Sequence, residues 1–291
     1  MIVIHDPACA EFGSPERPEQ PARVIKTAEL LRANHPDWEW QRPGAVAEET
    51  VLLAHDAALL ARLRKPEEFD ADTPYFDRIA DHALCSVAGA LTAMDHALAG
   101  RQAFSLLRPP GHHATRNRAM GFCYLNQVAI AALEARRRGV ARVAVWDFDA
   151  HHGNGTEEIL GGVAGTLYVS VHQTPCYPGT GLGSEANCLN FPVAPRLPRE
   201  ELLETMRRSW NALLAFHPEL VLVSAGFDAY EHDPVAQLTA SVGDYGSLGR
   251  WVREANLPAA VILEGGYSGD LPLLVDAFLT AWGADQSGSP R

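Results

Sequence analysis

Four apolar stretches of the sequence are each followed by side chains that can bind metal or move protons. Arg108-Pro-Pro-Gly-His-His113 follows one such stretch, and Asp147-Phe-Asp-Ala-His-His-Gly-Asn-Gly155 follows another. Ser224-Ala-Gly-Phe-Asp228 and Glu264-Gly-Gly-Tyr267 follow two more. In open α/β sheets, ligands bind beyond the carboxyl ends of the strands. The pattern therefore predicts one site assembled from four strand ends.

Asp149, His151 and Asp228 have the types and spacing expected of a catalytic metal site. One residue separates Asp149 from His151, so both side chains lie on the same side of an extended segment. Asp228 follows a different strand and converges on them if the two strands are neighbours. Two carboxylates and one imidazole leave a coordination position open for water. Zinc suits this mixed ligand set, and ligand type alone leaves iron and manganese open.

Short β-branched runs predict the buried strands that would position these side chains. The predicted strands are residues 2–5, 104–107, 143–146, 167–171, 220–223 and 260–263. The predicted helices are residues 22–33, 81–99, 127–138, 199–216 and 245–255. Strand and helix alternate from residue 104 onward, which indicates a parallel sheet covered on both faces. We predict one three-layer α/β/α domain over residues 1–283 and a frayed tail at 284–291.

Composition excludes several classes of protein. The 291 residues are 47% hydrophobic with a net charge of -12, which excludes intrinsic disorder and argues against nucleic-acid binding. No apolar run approaches the roughly 20 residues of a membrane span. The five cysteines are an odd number and form no C-x-x-C pair, so we expect a reducing, cytoplasmic environment.

With Gly121-Phe-Cys-Tyr-Leu-Asn126 added, the four motifs strongly resemble those of the histone deacetylases. The resemblance extends to their bacterial relatives, including acetylpolyamine amidohydrolases, and covers Pro18 to about Trp282 with every motif in family order. It implies the arginase/deacetylase fold and a zinc-dependent hydrolase. The implied reaction is hydrolysis of the amide of an acetylated primary amine, such as an acetyl-lysine side chain.

The resemblance also implies a role for each matching residue. The implied zinc ligands are Asp149, His151 and Asp228. His113 would act as general base and then as general acid, while His112, oriented by Asp147, would act mainly through its charge. Tyr267 would donate its hydroxyl proton to the amide carbonyl. Asn154 stands where class I enzymes have an aspartate, which is typical of class II and bacterial enzymes and would lower the pKa of His113.

A potassium ion beside the zinc is implied as well. Its ligands would be Asp147, the Ser170 hydroxyl and the carbonyls of Asp149, His151 and Val171. Ser170 follows Asp149 by 21 residues, the offset expected in the family, and ends a predicted strand.

By the same resemblance, five residues would form the substrate tunnel: Gly121, Phe122, Tyr177, Asp72 and Val235. The two aromatic rings would sandwich the acyl chain, the Gly121 carbonyl would accept the amide N–H, and Asp72 would hold the substrate backbone at the rim. Val235 stands where polyamine-specialised relatives have a glutamate. We expect Arg23 to reach the foot of the pocket, where acetate leaves. Arg17 stands where the family commonly has histidine, and its effect stays open.

The sequence leaves the physiological substrate open between acetyl-lysine proteins, acetylpolyamines and other small acetylated amines. Acidic residues in the N-terminal loop could favour a cationic amine: Glu11, Glu16 and Glu19. A catalytically weak acyl-lysine binding protein is an alternative of another class. An arginase-like hydrolase would need a second full metal site with more carboxylates. We expect a small-molecule or peptide partner, no nucleic acid and no membrane, with the oligomeric state open.

Overall fold

A parallel sheet forms the centre of the protein. The computed structural model describes residues 1–284, so the predicted tail lies outside the described residues except for Ala284, and the predicted domain boundary stays a prediction. The strands are β1 (Ile2–Ile4), β2 (Glu39–Gln41), β3 (Ala103–Ser105), β4 (Val143–Asp147), β5 (Thr166–Gln173), β6 (Cys188–Val193), β7 (Leu220–Ala225) and β8 (Ala259–Leu263). Every neighbouring pair is parallel, in the order β2-β1-β3-β8-β7-β4-β5-β6. The α/β prediction is confirmed.

Helices flank this sheet. They are α1 (Ala22–Asn34), α2 (Glu48–Val51), α3 (Ala57–Leu63), α4 (Ile79–Leu98), α5 (Gln127–Arg137), α6 (Asn154–Leu160), α7 (Arg199–Leu214), α8 (Val242–Ala255) and α9 (Leu271–Gly283). Helix α4 packs against α5, β3 and β8, whereas α9 packs against α1 and α8. Each of the five predicted helices is present, with ends that shift by up to three residues.

The inner strands are apolar because helices cover both of their faces. All residues of β4, β7 and β8 are buried, which is the pattern expected of a doubly covered parallel sheet. Trp146 of β4 anchors the packing on one face, with its ring centroid 4.7 Å from that of Trp210 on α7. Its indole N–H donates to the Ser209 hydroxyl at 3.1 Å, so the buried polar atom is satisfied.

Two strands and one long helix are absent from the sequence prediction. Strands β2 and β6 form the two edges of the sheet; β2 has no fully buried residue, and β6 mixes exposed and buried positions. Pro192 lies in β6, where an edge position tolerates its missing N–H. Helix α9 is rich in apolar residues over most of its length. The strand signals are weak because edge strands need neither a continuous apolar run nor many residues.

Strand order brings the predicted chemistry together. The four strands whose ends carry the motifs are β3, β8, β7 and β4, and they stand side by side in the sheet. Asp147 at the end of β4 is in register with Ser224 of β7 on one side and with Ser170 of β5 on the other. The loops after these strands therefore meet at the carboxyl-terminal ends of the strands.

Candidate active site

A compact cluster of Asp149, His151 and Asp228 lies just beyond β4 and β7. His151 Nδ1 is 3.1 Å from Asp149 Oδ1 and 2.9 Å from Asp228 Oδ2. All three side chains are almost entirely buried. The neighbouring strands β4 and β7 thus bring Asp228 to the imidazole of His151, which is 77 residues away in the sequence.

Backbone amides hold both carboxylates in place. The amide of Gly265 donates to Asp149 Oδ2 at 2.8 Å, and that of Ala150 donates to Asp228 Oδ1 at 2.7 Å. Gly265 also has to be glycine for space, because a Cβ there would collide with carboxylate oxygens of Asp149 and Asp228. A Cβ at Gly226 would collide with Asp149 in the same way. The glycines beside the strand ends therefore make room for the two acids.

The donor set fits a divalent metal ion. Burial, and then the neighbouring Asp149 carboxylate, raise the pKa of Asp228 to about 7. Two buried carboxylates so close together repel each other, and a cation between them would offset this cost. One imidazole nitrogen and two carboxylate oxygens within 4.8 Å of one another match the ligand types that zinc accepts.

The tandem histidines have different hydrogen-bond partners. His112 Nδ1 lies 3.1 Å from Asp147 Oδ2, whereas His113 Nδ1 lies 2.9 Å from the amide oxygen of Asn154. Burial opposes the charged form of His112, but the carboxylates of Asp149 and Asp147 raise its pKa to about 10. Burial, and then the neighbouring His112, hold the pKa of His113 well below its usual range. The environments of the two imidazoles therefore shift their pKa values in opposite directions.

Tyr267 is supported from two sides. The Arg23 guanidinium lies 4.7 Å from the centre of the Tyr267 ring, and its Nε donates to the Gly266 carbonyl at 2.7 Å. Asp233 Oδ2 accepts the backbone N–H groups of Tyr267 at 2.7 Å and Ser268 at 3.2 Å. Burial raises the pKa of the Tyr267 hydroxyl well above its usual range. The hydroxyl is therefore a proton donor at neutral pH.

A cavity of about 290 Å³ leads from the surface to these groups. All five residues predicted for the substrate tunnel line it: Gly121, Phe122, Tyr177, Asp72 and Val235. His113 and His151, which are buried, and Tyr267 also line it, whereas Tyr177 is 38% exposed. The rings of Phe122 and Tyr267 are 5.6 Å apart, and those of Tyr177 and His113 are 5.0 Å apart.

Gly121 has to be glycine at its position in this wall. Its φ of 57° lies in the left-handed region, where a side chain adds strain. A Cβ at this position would lie 2.7 Å from His113 Cδ2 and 2.8 Å from Tyr177 Cε1. The glycine therefore allows the aromatic wall and the histidine to approach each other.

Three buried charged residues have no role in the prediction from sequence: Asp233, Glu264 and Arg108. Glu19 was grouped with loop acids that could favour a cationic amine, but it is buried and paired with Arg108. Glu264 Oε2 accepts the backbone N–H groups of Gly111 at 2.7 Å and of His112, and burial raises its pKa to about 7. Glu19 binds the fully buried Arg108 through both carboxylate oxygens, each at 2.5 Å.

Each of these groups acts through another side chain or a loop. The available sequence signals are an acid at the end of an apolar run for Glu264 and an Asp-Pro pair five residues after Asp228 for Asp233.

The residues predicted to bind potassium lie around Asp147. The Asp147 carboxylate accepts hydrogen bonds from Tyr168 at 2.9 Å and from the backbone N–H of Asp149 at 3.2 Å, in addition to its contact with His112. Ser170 Oγ lies 2.8 Å from His172 Nδ1. These contacts give the Asp147 carboxylate and the Ser170 hydroxyl partners within the protein, and potassium stays a prediction.

A larger cavity, of about 540 Å³, lies at the other end of the strands, where β3 and β8 begin. Its lining includes Arg101, Arg253 and Trp282, and no histidine, cysteine or acid is among the lining residues of the described chain. Cavity size alone therefore does not identify the site.

None of the helices in residues 1–284 has both the length and the apolar character that a membrane crossing demands.

Comparison with known proteins identifies similar sequences and structures. The histone deacetylase domain family matches residues 17–280. An uncharacterized protein of Synechocystis sp. is 42% identical in an alignment of 272 positions that covers 87% of this chain and 89% of that protein. A probable deacetylase of Methanothermobacter thermautotrophicus is 34% identical over 92% of this chain and 86% of its own length. The crystal structure of an acetylpolyamine aminohydrolase from Burkholderia pseudomallei superposes with a TM-score of 0.89 at 28% identity, covering 98% of this chain and 99% of that one.

Proposed function

The chain belongs to the histone deacetylase family, and on that premise we propose that it is a zinc-dependent deacetylase of acetylated primary amines. One observation carries the proposal. A narrow cavity walled by Phe122 and Tyr177 ends at His113, Tyr267 and the buried cluster that contains His151. A thin, linear acyl-amine such as an acetyl-lysine side chain fits this shape, with its amide at the foot.

Asp149, His151 and Asp228 would hold the zinc ion. Zinc supplies a Lewis acid that polarises the amide carbonyl and lowers the pKa of water. The remaining steps depend on side chains of this chain.

His113 is the proton carrier. The amide oxygen of Asn154 can only accept, so it fixes the proton of His113 on Nδ1 and leaves Nε2 as an acceptor. Its depressed pKa keeps this ring neutral, so Nε2 can take a proton from the attacking water and pass it to the leaving amine nitrogen. His112, held by Asp147, contributes positive charge beside the developing negative charge.

Tyr267 donates its hydroxyl hydrogen to the amide oxygen as negative charge develops there. A donor of this kind is worth roughly 10²–10³ in rate. Its direction depends on Arg23, which lies against the ring, and on Asp233, which fixes the backbone of Tyr267. We propose that both are positioning residues, and that Arg23 also borders the space that acetate leaves through.

The cavity wall orients the chain of the substrate. We propose that the Gly121 carbonyl accepts the substrate N–H while Phe122 and Tyr177 enclose the methylene groups. Val235 is apolar, so this part of the wall provides no carboxylate for a polyamine. A small acetylated amine, including an acetylpolyamine, is the second candidate substrate, which the similarity to the acetylpolyamine aminohydrolase favours.

We also propose a potassium ion beside Asp147, held with Ser170, Val171 and the carbonyls of Asp149 and His151. The register of Asp147 with Ser170 across β4 and β5 supports this. The test is the melting temperature of the protein in potassium chloride and in choline chloride at equal ionic strength. An equal melting temperature in both salts would argue against the ion.

The activity is tested with a fluorogenic acetyl-lysine amide, before and after treatment with a chelator, and again after zinc is restored. We expect turnover that the chelator abolishes and zinc restores. A panel of acetyl-lysine peptide, acetylputrescine and acetylspermidine then ranks the substrates by kcat/KM. Binding of these compounds without chelator-sensitive turnover of any of them would replace the enzyme by an acyl-lysine binding protein.

A further inference from the structure

The mouth of the tunnel contains two opposite charges that do not neutralise each other. Arg17 and Asp72 both line the cavity, and no other arginine, lysine, aspartate or glutamate of the described chain does. Within residues 1–284, the side chain of Arg17 forms one hydrogen bond, from Nη1 to the Ala71 carbonyl at 3.3 Å, and no ion pair. Asp72 likewise forms no ion pair in this part of the chain. Both charged groups are therefore available to a ligand in the cavity.

Both charges are held in a defined position relative to the tunnel wall. Residues 70–73 form the rim loop, in which the Asp72 N–H donates to Asp70 Oδ1 at 3.0 Å. Arg17 reaches this loop through Ala71. The loop is anchored by the buried Thr73, whose hydroxyl oxygen accepts the backbone N–H of Phe122 at 3.1 Å. The rim loop thus connects the two charges to the aromatic wall.

The size of the cavity suits a small ligand. Its volume of about 290 Å³ is at the lower end of the range of small-molecule sites, which begins at roughly 300 Å³. Between the mouth and the foot the wall is formed by Phe122, Tyr177 and Val235. A ligand with its acetamide at the foot therefore places its other end between Arg17 and Asp72.

We propose that Arg17 is a specificity-determining residue that binds the α-carboxylate of a side-chain-acetylated amino acid, while Asp72 binds its α-ammonium group. This rests on the proposed deacetylase function. A guanidinium can pair with a carboxylate through two parallel hydrogen bonds, which neutral or cationic groups cannot match. The far end of an acetylpolyamine is cationic and would be repelled by Arg17. A zwitterion satisfies both charges at once.

A matched pair of substrates tests the proposal. Nε-acetyl-lysine and N-acetylcadaverine differ only in the α-carboxylate. We expect kcat/KM to be at least about tenfold higher for Nε-acetyl-lysine, the effect of one charge-assisted hydrogen bond. Arg17→Gln should lower the value for Nε-acetyl-lysine about tenfold more than the value for N-acetylcadaverine. Arg17→Lys should retain part of the preference, because lysine keeps the positive charge but cannot form two parallel hydrogen bonds with a carboxylate.

The control variant is Arg250→Gln, which makes the same change of charge at an exposed position on α8. It should leave the ratio of the two kcat/KM values as in the unmodified protein. A third substrate, acetyl-lysine within a neutral peptide, shows whether a free carboxylate is needed or a protein lysine is accepted equally well. Equal kcat/KM for the peptide and for Nε-acetyl-lysine would overturn the proposal.

The outcome separates this inference from the proposed function. Turnover of both amines with a ratio near one, or a ratio that Arg17→Gln leaves unchanged, overturns the role of Arg17 alone. Turnover of the peptide without turnover of either amine also overturns the role of Arg17. No turnover of the peptide or of either amine overturns the proposed function. In that case, calorimetric affinities of the same two compounds for the zinc-loaded protein and for Arg17→Gln decide the inference by the same ratio.

Discussion

The foot and the mouth of the tunnel are built in different ways. At the foot, the carboxylates of Asp149 and Asp228 are buried and each accepts a hydrogen bond from a backbone amide. At the mouth, Asp72 is exposed and Tyr177 is 38% exposed, and Arg17 has one hydrogen bond to the rim loop. Bond-making chemistry needs groups that cannot move, whereas selection among ligands tolerates groups that adapt. We therefore expect substitutions at the foot to lower kcat and those at the mouth to change KM or substrate preference.

The largest effect is expected for a metal ligand. Asp228→Ala should lower turnover by more than about 10³-fold, because it removes a ligand and with it the Lewis acid. Zinc content measured by atomic emission should fall together with activity. Turnover that survives with zinc absent would contradict the role of the cluster.

Tyr267→Phe should lower kcat by about 10²–10³-fold with little change in zinc content, because it removes one donor to the oxyanion. Steady-state kinetics and zinc analysis of the same preparation check both parts. Loss of zinc from this variant would show that Tyr267 supports the metal cluster, against the role proposed here.

Asp233→Asn tests whether Asp233 positions Tyr267 without contacting the substrate itself. We expect kcat to fall about tenfold, because weaker bonds to the N–H groups of Tyr267 and Ser268 let the phenol move. KM should change little, and the double variant with Tyr267→Phe should be no slower than Tyr267→Phe alone. Additive losses in the double variant would mean that Asp233 acts elsewhere.

The buried imidazole of His55 should make the stability of the fold depend on pH. His55 Nδ1 donates to the Thr115 carbonyl at 2.9 Å and Nε2 accepts the Asn126 N–H at 2.8 Å, so the ring is neutral. Burial lowers its pKa to about 4, against about 6.5 in an unfolded chain. Between these values the unfolded chain binds a proton that the folded chain does not. The free energy of unfolding should thus fall by about 1.4 kcal/mol per pH unit as pH decreases from about 6.5 to 4.

Urea unfolding of the protein and of His55→Gln at pH 7 and pH 5 measures this contribution. The variant should be less stable at pH 7 and should lose less stability between the two pH values. An identical loss in both proteins would assign the pH dependence to other groups.

The smallest effect is expected at the mouth. Tyr177→Phe should change kcat/KM by less than about threefold, because the ring stays and the hydroxyl forms no hydrogen bond within residues 1–284. The ring itself should matter more, so Tyr177→Ala is the matched comparison, with an increase in KM. A large fall in kcat for Tyr177→Phe would remove the distinction between foot and mouth.

The strands that could be predicted from the sequence are the buried ones. Strands β4, β7 and β8 are continuous apolar runs because both faces are covered, and the sequence analysis located each of them. Edge strands β2 and β6 lack this pattern because one side faces solvent. Helix α9 was not predicted, although it packs against both α1 and α8.

The site divides in a similar way. Asp149 and His151 could be paired from sequence because alternation along an extended segment is local. The approach of Asp228 depends on β7 lying beside β4, which spacing along the chain does not specify. The contacts of Asp233 with Tyr267 and of Arg17 with the rim loop depend on the paths of loops that are far apart in the sequence.

The sequence by itself determined the residue types of the site, the strand ends that hold them and the family to which the motifs point. These are local properties, set by side-chain chemistry and by the apolar pattern of buried strands. Only the tertiary structure decided which side chains meet, that His112 lies beside the carboxylates of Asp149 and Asp147 whereas His113 is buried beside His112, and that Arg17 and Asp72 share the mouth. Such contacts depend on strand order and on the paths of loops, where groups far apart in sequence are brought within a few ångströms.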